Sequence, residues 1–346
     1  VITKARVFTA LIALVGSAVF VLLGIPLPFL LGPLFFCLGA ALLRVPMQDM
    51  GALGTLMRTL LGVAVGATVT PELTELLPEM AYSVAVVPLF VLTIGLVGVP
   101  FFRKVCKFDA ATSYYAAMPG GFQDMVIFGQ EAGADVRALA LIHATRVLVI
   151  VTIVPILLSS IYGLSLSNPP GQPIGEIPPV ELVLMALAAV IGWRGGVAIG
   201  LFGASILGPL ILTALLSLTG FISHRPPAEA IIAAQFFIGL AIGTKYVGVT
   251  LHELRKDILA GVVFCVILAG IAIAFAEAVT LLGFAEPASA FLAFSPGGQA
   301  EMAVIAIIAG ADVAFVVTHH IVRILVVIVG APLFGAMAGV RKGKRT

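Results

Sequence analysis

The sequence predicts an all-α polytopic membrane protein built from two inverted-topology repeats, each with about five transmembrane helices plus one Pro-Gly-Gly-broken or re-entrant segment. Three observations carry that expectation. Of 346 residues, 61% are hydrophobic and 10% are charged, whereas a soluble chain devotes about 25% to charge, so a water-facing domain is excluded. A long motif occurs twice at constant spacing. The basic residues between apolar runs change sides from one copy to the other.

The apolar runs come first. Residues 7–23 and 81–102 carry no charge at all, and about 20 such residues cross a bilayer core as a helix. Lys4 and Arg6 ahead of the first run resemble the start of a secretory signal, but this region has a counterpart in the second half of the chain and reads as architecture. Cys37, Cys106 and Cys265 are scattered through apolar sequence and read as small buried hydrophobes. The five histidines form no spaced set with thiols or carboxylates, so neither a metal nor a cofactor is expected, and no catalytic residues.

The repeat is explicit. Pro119-Gly-Gly-Phe-Gln-Asp-Met and Pro296-Gly-Gly-Gln-Ala-Glu-Met stand 177 residues apart and open stretches that align without a gap to Pro155 and Pro332. Gly133/Gly310, Asp135/Asp312, His143/His320 and Arg146/Arg323 are identical pairs within them. Upstream, Gly62-Val-Ala-Val-Gly66 matches Gly239-Leu-Ala-Ile-Gly243, and Leu31-Gly-Pro-Leu34 matches Leu207-Gly-Pro-Leu210. The glycine pairs are small-xxx-small patterns suited to close helix packing. The repeats therefore occupy 1–158 and 180–340, with a Pro-, Gly- and Ser-rich linker at 159–179 and a basic tail at 341–346.

Full spans are expected at 6–24, 27–44, 52–70, 80–102 and 134–158, with partners at 180–197, 199–220, 229–248, 258–283 and 311–338. Residues 109–131 and 286–308 are also apolar, but Pro-Gly-Gly interrupts each. Arg103, Lys104 and Lys107 follow the fourth span of copy one, where copy two has only Glu286. Conversely, Glu72, Glu75 and Glu79 sit in an expected loop whose partner holds Arg255 and Lys256. With basic loops inside, both termini are cytoplasmic and each copy crosses an odd number of times. The expected location is a bacterial inner membrane.

Broken backbone at membrane depth is tolerated where protein buries it or where it lines a watery cavity, so the breaks mark the candidate site. Gly120, Gly121, Gly297 and Gly298 relax the backbone there. The half-helix after each break presents N–H groups and a positive dipole end to an anion. Asp124 and Glu301 lie in its first turn, either stabilising the helix start or holding a proton or sodium ion. Asp135 and Asp312 read as N-caps after Gly133 and Gly310. Arg146 and Arg323, near the middle of their spans, are either clamps on a carboxylate or on backbone carbonyls, or direct ligands of an anionic substrate. His143 and His320, one turn away, are packing residues or part of the site.

The set Pro-Gly-Gly-x-x-[Asp/Glu]-Met, Ala-Gly-Ala-Asp-Val and His-x-x-Arg, present twice with Leu-Gly-Pro upstream, resembles the AbrB-type duplicated integral membrane family, which is distinct from the small DNA-binding regulator of the same name. The resemblance covers almost the whole chain. Members carry an ammonia monooxygenase label, which the lack of a redox-metal ligand set argues against, and some are described as regulators. The function expected is secondary active transport of a small solute, a small organic anion first, coupled to protons or sodium, with no enzymatic activity and no nucleic-acid partner. The alternatives are a passive channel and a membrane-embedded regulator or scaffold without transport. Membrane lipid is the expected surrounding, with room for a homo-oligomer.

Overall fold

A computed structural model describes residues 3–164, 166, 170–201 and 203–337; the side chains of 72–79, 123, 331–334, 336 and 337 are outside that description, as is the basic run 341–345. Among the described residues every regular element is helical. In chain order these are α1 (Lys4–Leu22), α2 (Pro28–Leu42), α3 (Ala52–Gly66), α4 (Pro71–Pro100, running on through a π-turn at Phe101–Val105), α5 (Ala110–Ala117), α6 (Phe122–Glu131) and α7 (Val136–Ser160). A 3₁₀ turn at Ile174–Glu176 precedes α8 (Pro179–Ala198), α9 (Ala204–Leu218), α10 (Ala228–Thr244) and α11 (Leu251–Glu253). The last passes through a π-turn at Leu254–Ile258 into α12 (Leu259–Leu281), followed by α13 (Pro287–Phe294), α14 (Gln299–Ala309) and α15 (Val313–Met337).

Among the described residues six helices are long and apolar enough to cross a membrane: α1, Met80–Val105 at the end of α4, α7, α8, the continuous Leu251–Leu281, and Val313–Gly330 of α15. Three belong to each sequence copy. The other four of the ten expected spans are shorter. Helices α2, α3 and α9 have 15 residues and α10 has 17, about 22–26 Å of rise against a core of about 30 Å. The expected spans run past the C-terminal ends of all four, which stop at Leu42, Gly66, Leu218 and Thr244, and past the starts of α2 and α9, where positive φ at Leu27 and Gly203 is a conformation no right-handed helix continues through. Residues 72–79, expected as a loop, form the first turns of α4 instead, with Pro71 at the first helical position, where its fixed φ and missing N–H suit a helix start.

The chain divides into two compact units. The first comprises Val1–Pro78, Pro155–Gly248 and Ala300–Ala314; the second comprises Glu79–Val154, Val249–Gln299 and Phe315–Thr346. Within the first unit α1 packs on α2 and α8 on α9, and both contacts are glycine against glycine: a β-carbon on Gly16 or Gly32 would strike the other's backbone, as would one on Gly192 or Gly208. The third helix of each copy packs on the second helix of the other, α3 on α9 and α10 on α2. Added β-carbons at Gly62 and Gly66 would strike the carbonyl oxygens of Ile206 and Leu210; at Gly239 and Gly243 they would meet Leu30 and Leu34 in the same way. The duplicated glycine pairs thus make duplicated contacts.

The second unit is tied by aromatic packing of α4 and its π-turn against α12 and α13. Phe102 stands edge-on to Phe264 at 4.7 Å, and Phe90 meets Phe275 and Phe294 at 5.2 Å each, separations at which aromatic pairs add stability beyond area burial. A capping box of Thr250 and Glu253 starts the Leu251–Leu281 helix. Glu253 also pairs with Arg137 at 2.7 Å, a solvent-exposed contact worth at most about 1 kcal/mol.

The glycine contacts give a paired expectation. Gly66→Val and Gly239→Val each lower the melting temperature in detergent, since overpacking costs about 1–3 kcal/mol. Gly270→Ala in α12, where a β-carbon meets open space, leaves it unchanged or raises it, by up to about 1 kcal/mol. Equal tolerance at all three positions contradicts the packing described.

Candidate functional site

Each Pro-Gly-Gly segment is two half-helices joined by four non-helical residues. In copy one, α5 ends at Ala117, residues 118–121 are non-helical with Met118 and Gly121 extended, and α6 begins at Phe122. In copy two, α13 ends at Phe294, residues 295–298 form the break, and α14 begins at Gln299. Gly120 and Gly297 are buried, and Gly121 and Gly298 partly so. The last carbonyls of α5 and α13 have no intrahelical donor, as at every helix C-terminus, and in a buried site that omission costs free energy unless another donor arrives.

The donors come from α7 and α15. Arg146 donates through Nη1 to the Met118 carbonyl at 3.1 Å and through Nη2 to the Gly120 carbonyl at 2.8 Å. Arg323 does the same to Ser295 at 2.9 Å and Gly297 at 2.8 Å. His143 Nε2 lies 3.0 Å from the Tyr115 carbonyl, and His320 Nε2 lies 3.0 Å from that of Leu292. All four side chains are at most 2% exposed. Every acceptor of copy one maps onto its counterpart 177 residues later, so the hydrogen-bond pattern is duplicated along with the sequence.

The arrangement has a simple physical purpose. A guanidinium presents its N–H donors in a rigid fork, and here two of its nitrogens bind carbonyls two residues apart on the non-helical break. Positive charge at the C-terminal end of a half-helix also offsets the negative end of its dipole. Of the six long helices, α7 and α15 are the most buried, at 67% and 56% of their apolar windows against 22–33% for the others. Surrounding protein, with the broken backbone as partner, makes an arginine tolerable at mid-span.

The clamp on backbone carbonyls is therefore the reading of the arginines that the geometry shows. Among the described residues no carboxylate pairs with Arg323. Asp124 and Glu301 are half-buried in the first turns of α6 and α14. Asp135 acts as an N-cap, accepting from the Ala138 N–H at 3.0 Å; Asp312 is exposed just before α15. Gly133 and Gly310 take φ of +79° and +68°, turning the chain between each half-helix and the arginine-bearing helix that follows. Among the described residues no group of three or more His, Cys, Asp or Glu is placed to hold a metal.

Sequence reasoning missed two contributors. The acceptor carbonyls are main-chain atoms with no residue signature; only their constant distance of 26 and 28 residues before each arginine could have pointed to them. His319 went unremarked, yet its Nδ1 faces the Phe315 carbonyl at 2.8 Å and its Nε2 meets the Ser83 hydroxyl at 3.1 Å, tying α15 to α4.

Replacing Arg323 by Met leaves two buried carbonyls without a donor, at about 1–3 kcal/mol each. Arg323→Lys keeps the charge but loses the fork. The expected order of melting temperatures is wild type above Lys above Met, and the same order at Arg146. A Met variant as stable as wild type at either position contradicts the clamp.

A family model described as "Transition state regulatory protein AbrB" matches residues 29–338. The chain is 25% identical over 349 residues to "Uncharacterized protein YhjN" of Bacillus subtilis strain 168, covering 93% of this chain and 90% of that protein. It is also 25% identical over 342 residues to "Putative regulator AbrB" of Escherichia coli K12, covering 97% of each. With most of its length matched and six helices fit to cross a membrane, the chain belongs to the AbrB-type family of multi-pass membrane proteins.

Proposed function

We propose that the protein is a secondary active transporter of a small organic anion in a bacterial inner membrane, coupled to protons or sodium. The observation that supports this reading most strongly is the duplicated break. Twice in one chain an arginine occupies the carbonyl end of a half-helix, and the next half-helix points the positive end of its dipole back toward the break. An anion is the complementary ligand. Transporters commonly place such discontinuous helices at the midplane, one from each inverted repeat. Three long helices in each copy, an odd number, suit that inversion. Asp124 and Glu301 are the coupling carboxylates in this reading, and both termini face the cytoplasm.

A second reading has its own support: the family description and the name of the E. coli relative both speak of regulation. A membrane-embedded regulator carries no solute flux and tolerates changes at Asp124 and Glu301. A passive channel conducts without regard to proton or sodium gradients.

The test is uptake into proteoliposomes. Under the transport reading, carboxylate uptake follows an imposed proton or sodium gradient, and Asp124→Asn and Glu301→Gln lose gradient-driven uptake while retaining exchange. Unchanged driven uptake in both variants removes the coupling role; no flux of any solute favours the regulator.

Topology is tested separately, in a Cys106→Ser background. Gly175 is exposed, with open space around its α-carbon, and Lys104 is exposed beyond α4. An impermeant thiol reagent added outside intact cells is expected to label Gly175→Cys and spare Lys104→Cys. The opposite pattern overturns the orientation.

A further inference from the structure

The late start of α2 leaves a space beside α10. The two helices are held together from Gly239 and Leu30 onward, where the Gly239 and Gly243 contacts lie. Before that contact α10 has two further turns, starting at Ala228, whereas α2 begins only at Pro28, after positive φ at Gly24 and Leu27. A cavity of about 590 Å³ lies there, walled by the end of α1, the start of α2, the last turn of α7, the first turns of α10 and the linker residues Leu166 and Pro170, all within the first unit. Its volume falls in the range of small-molecule sites.

No charged side chain is among the residues that line it, and their polar side chains are those of Ser159 at the exposed rim and Gln235 in the interior. Ala228, Ile232 and Gln235 all line the cavity and are spaced i, i+4, i+7, one face of α10, so the glutamine points where the other two do. It is 3% exposed and about 10 Å along the helix from Ala228. Among the described residues none hydrogen-bonds its amide, and burying an amide without a partner costs free energy. Aligned at 177 residues, copy one has Arg58 at this position; the charge that would suit an anion is replaced here by a neutral group.

The chemistry of that group selects its partner. An amide presents an N–H donor and a carbonyl acceptor side by side, and a second amide meets both at once through two parallel hydrogen bonds. A carboxylate has acceptors and no donor, and its charge would go unpaired in a cavity without cations. The apolar walls take an aliphatic body. We propose that this cavity binds a small uncharged aliphatic amide, oriented by Gln235. The site is distinct from the anion site of the transport reading and does not depend on it. The competing occupant is water, which also satisfies a buried amide.

The experiment is a thermal-shift titration of the purified full-length protein at neutral pH with hexanamide, against hexanoate and methyl pentanoate, an ester of similar size that accepts hydrogen bonds without donating them. Wild type is expected to show a saturable rise in Tm with hexanamide, a smaller one with the ester and none with hexanoate. Gln235→Met, which keeps the length of the side chain, is expected to need at least about tenfold more hexanamide for the same rise. Ala228→Phe fills the cavity away from the amide and is expected to weaken binding likewise, while Gly270→Ala keeps the wild-type response. Each variant is compared with its own ligand-free Tm, so a general loss of stability does not imitate loss of binding. No rise with hexanamide in wild type leaves water as the occupant and overturns the proposal. Equal rises with hexanamide and the ester, or an undiminished rise in Gln235→Met, overturn the paired hydrogen bonds to Gln235. Gradient-driven anion uptake bears on neither outcome.

Discussion

The fold depends on how a helix is interrupted in an apolar setting without orphaning its backbone. Pro-Gly-Gly ends α5 and α13 abruptly, and each leaves carbonyls whose helical donors are missing. Water would satisfy them at a surface; here the segments are buried. Arg146 and Arg323 supply the donors, with His143 and His320 completing the last turn of each half-helix. Each pair thereby fixes the break to a long, well-buried helix of the same copy. The positive charge that would be prohibitive on an isolated helix is held by carbonyl dipoles.

The first unit solves a different problem. Lipid chains are as apolar as leucine side chains, so helices in a membrane gain little from hydrophobic burial against one another and rely on close contact. Gly16 on Gly32 and Gly192 on Gly208 bring backbones together within each copy, and Gly62, Gly66, Gly239 and Gly243 do so between copies. Each copy's second helix is packed by the other copy's third. Neither half of the sequence completes this unit alone, which accounts for why the duplication is retained in the spacing of its glycines.

Much of this was legible in the residues, because small side chains and helix breakers announce their own consequences. The two breaks, the glycine contacts and the clamp reading of the arginines all followed from letters repeated at one spacing. What could not be read had identifiable causes. Hydropathy counts apolar residues but not backbone sign, so it extended α2 and α9 through Leu27 and Gly203, whose positive φ sets their starts, and carried α3 past its end at Gly66. Three glutamates suggested a loop at 72–79, whereas Pro71 starts a helix there. The arginines' partners are main-chain oxygens, invisible to any residue pattern.

Hydrogen–deuterium exchange on Arg146→Met and Arg323→Met tests the central claim most directly, because it reads the breaks themselves. If each arginine holds its own break, peptides over residues 110–131 exchange faster in the first variant and peptides over residues 287–309 in the second, with the other copy's break close to wild type. If neither substitution raises exchange at its own break, or both raise it equally everywhere, the arginines are not the braces described.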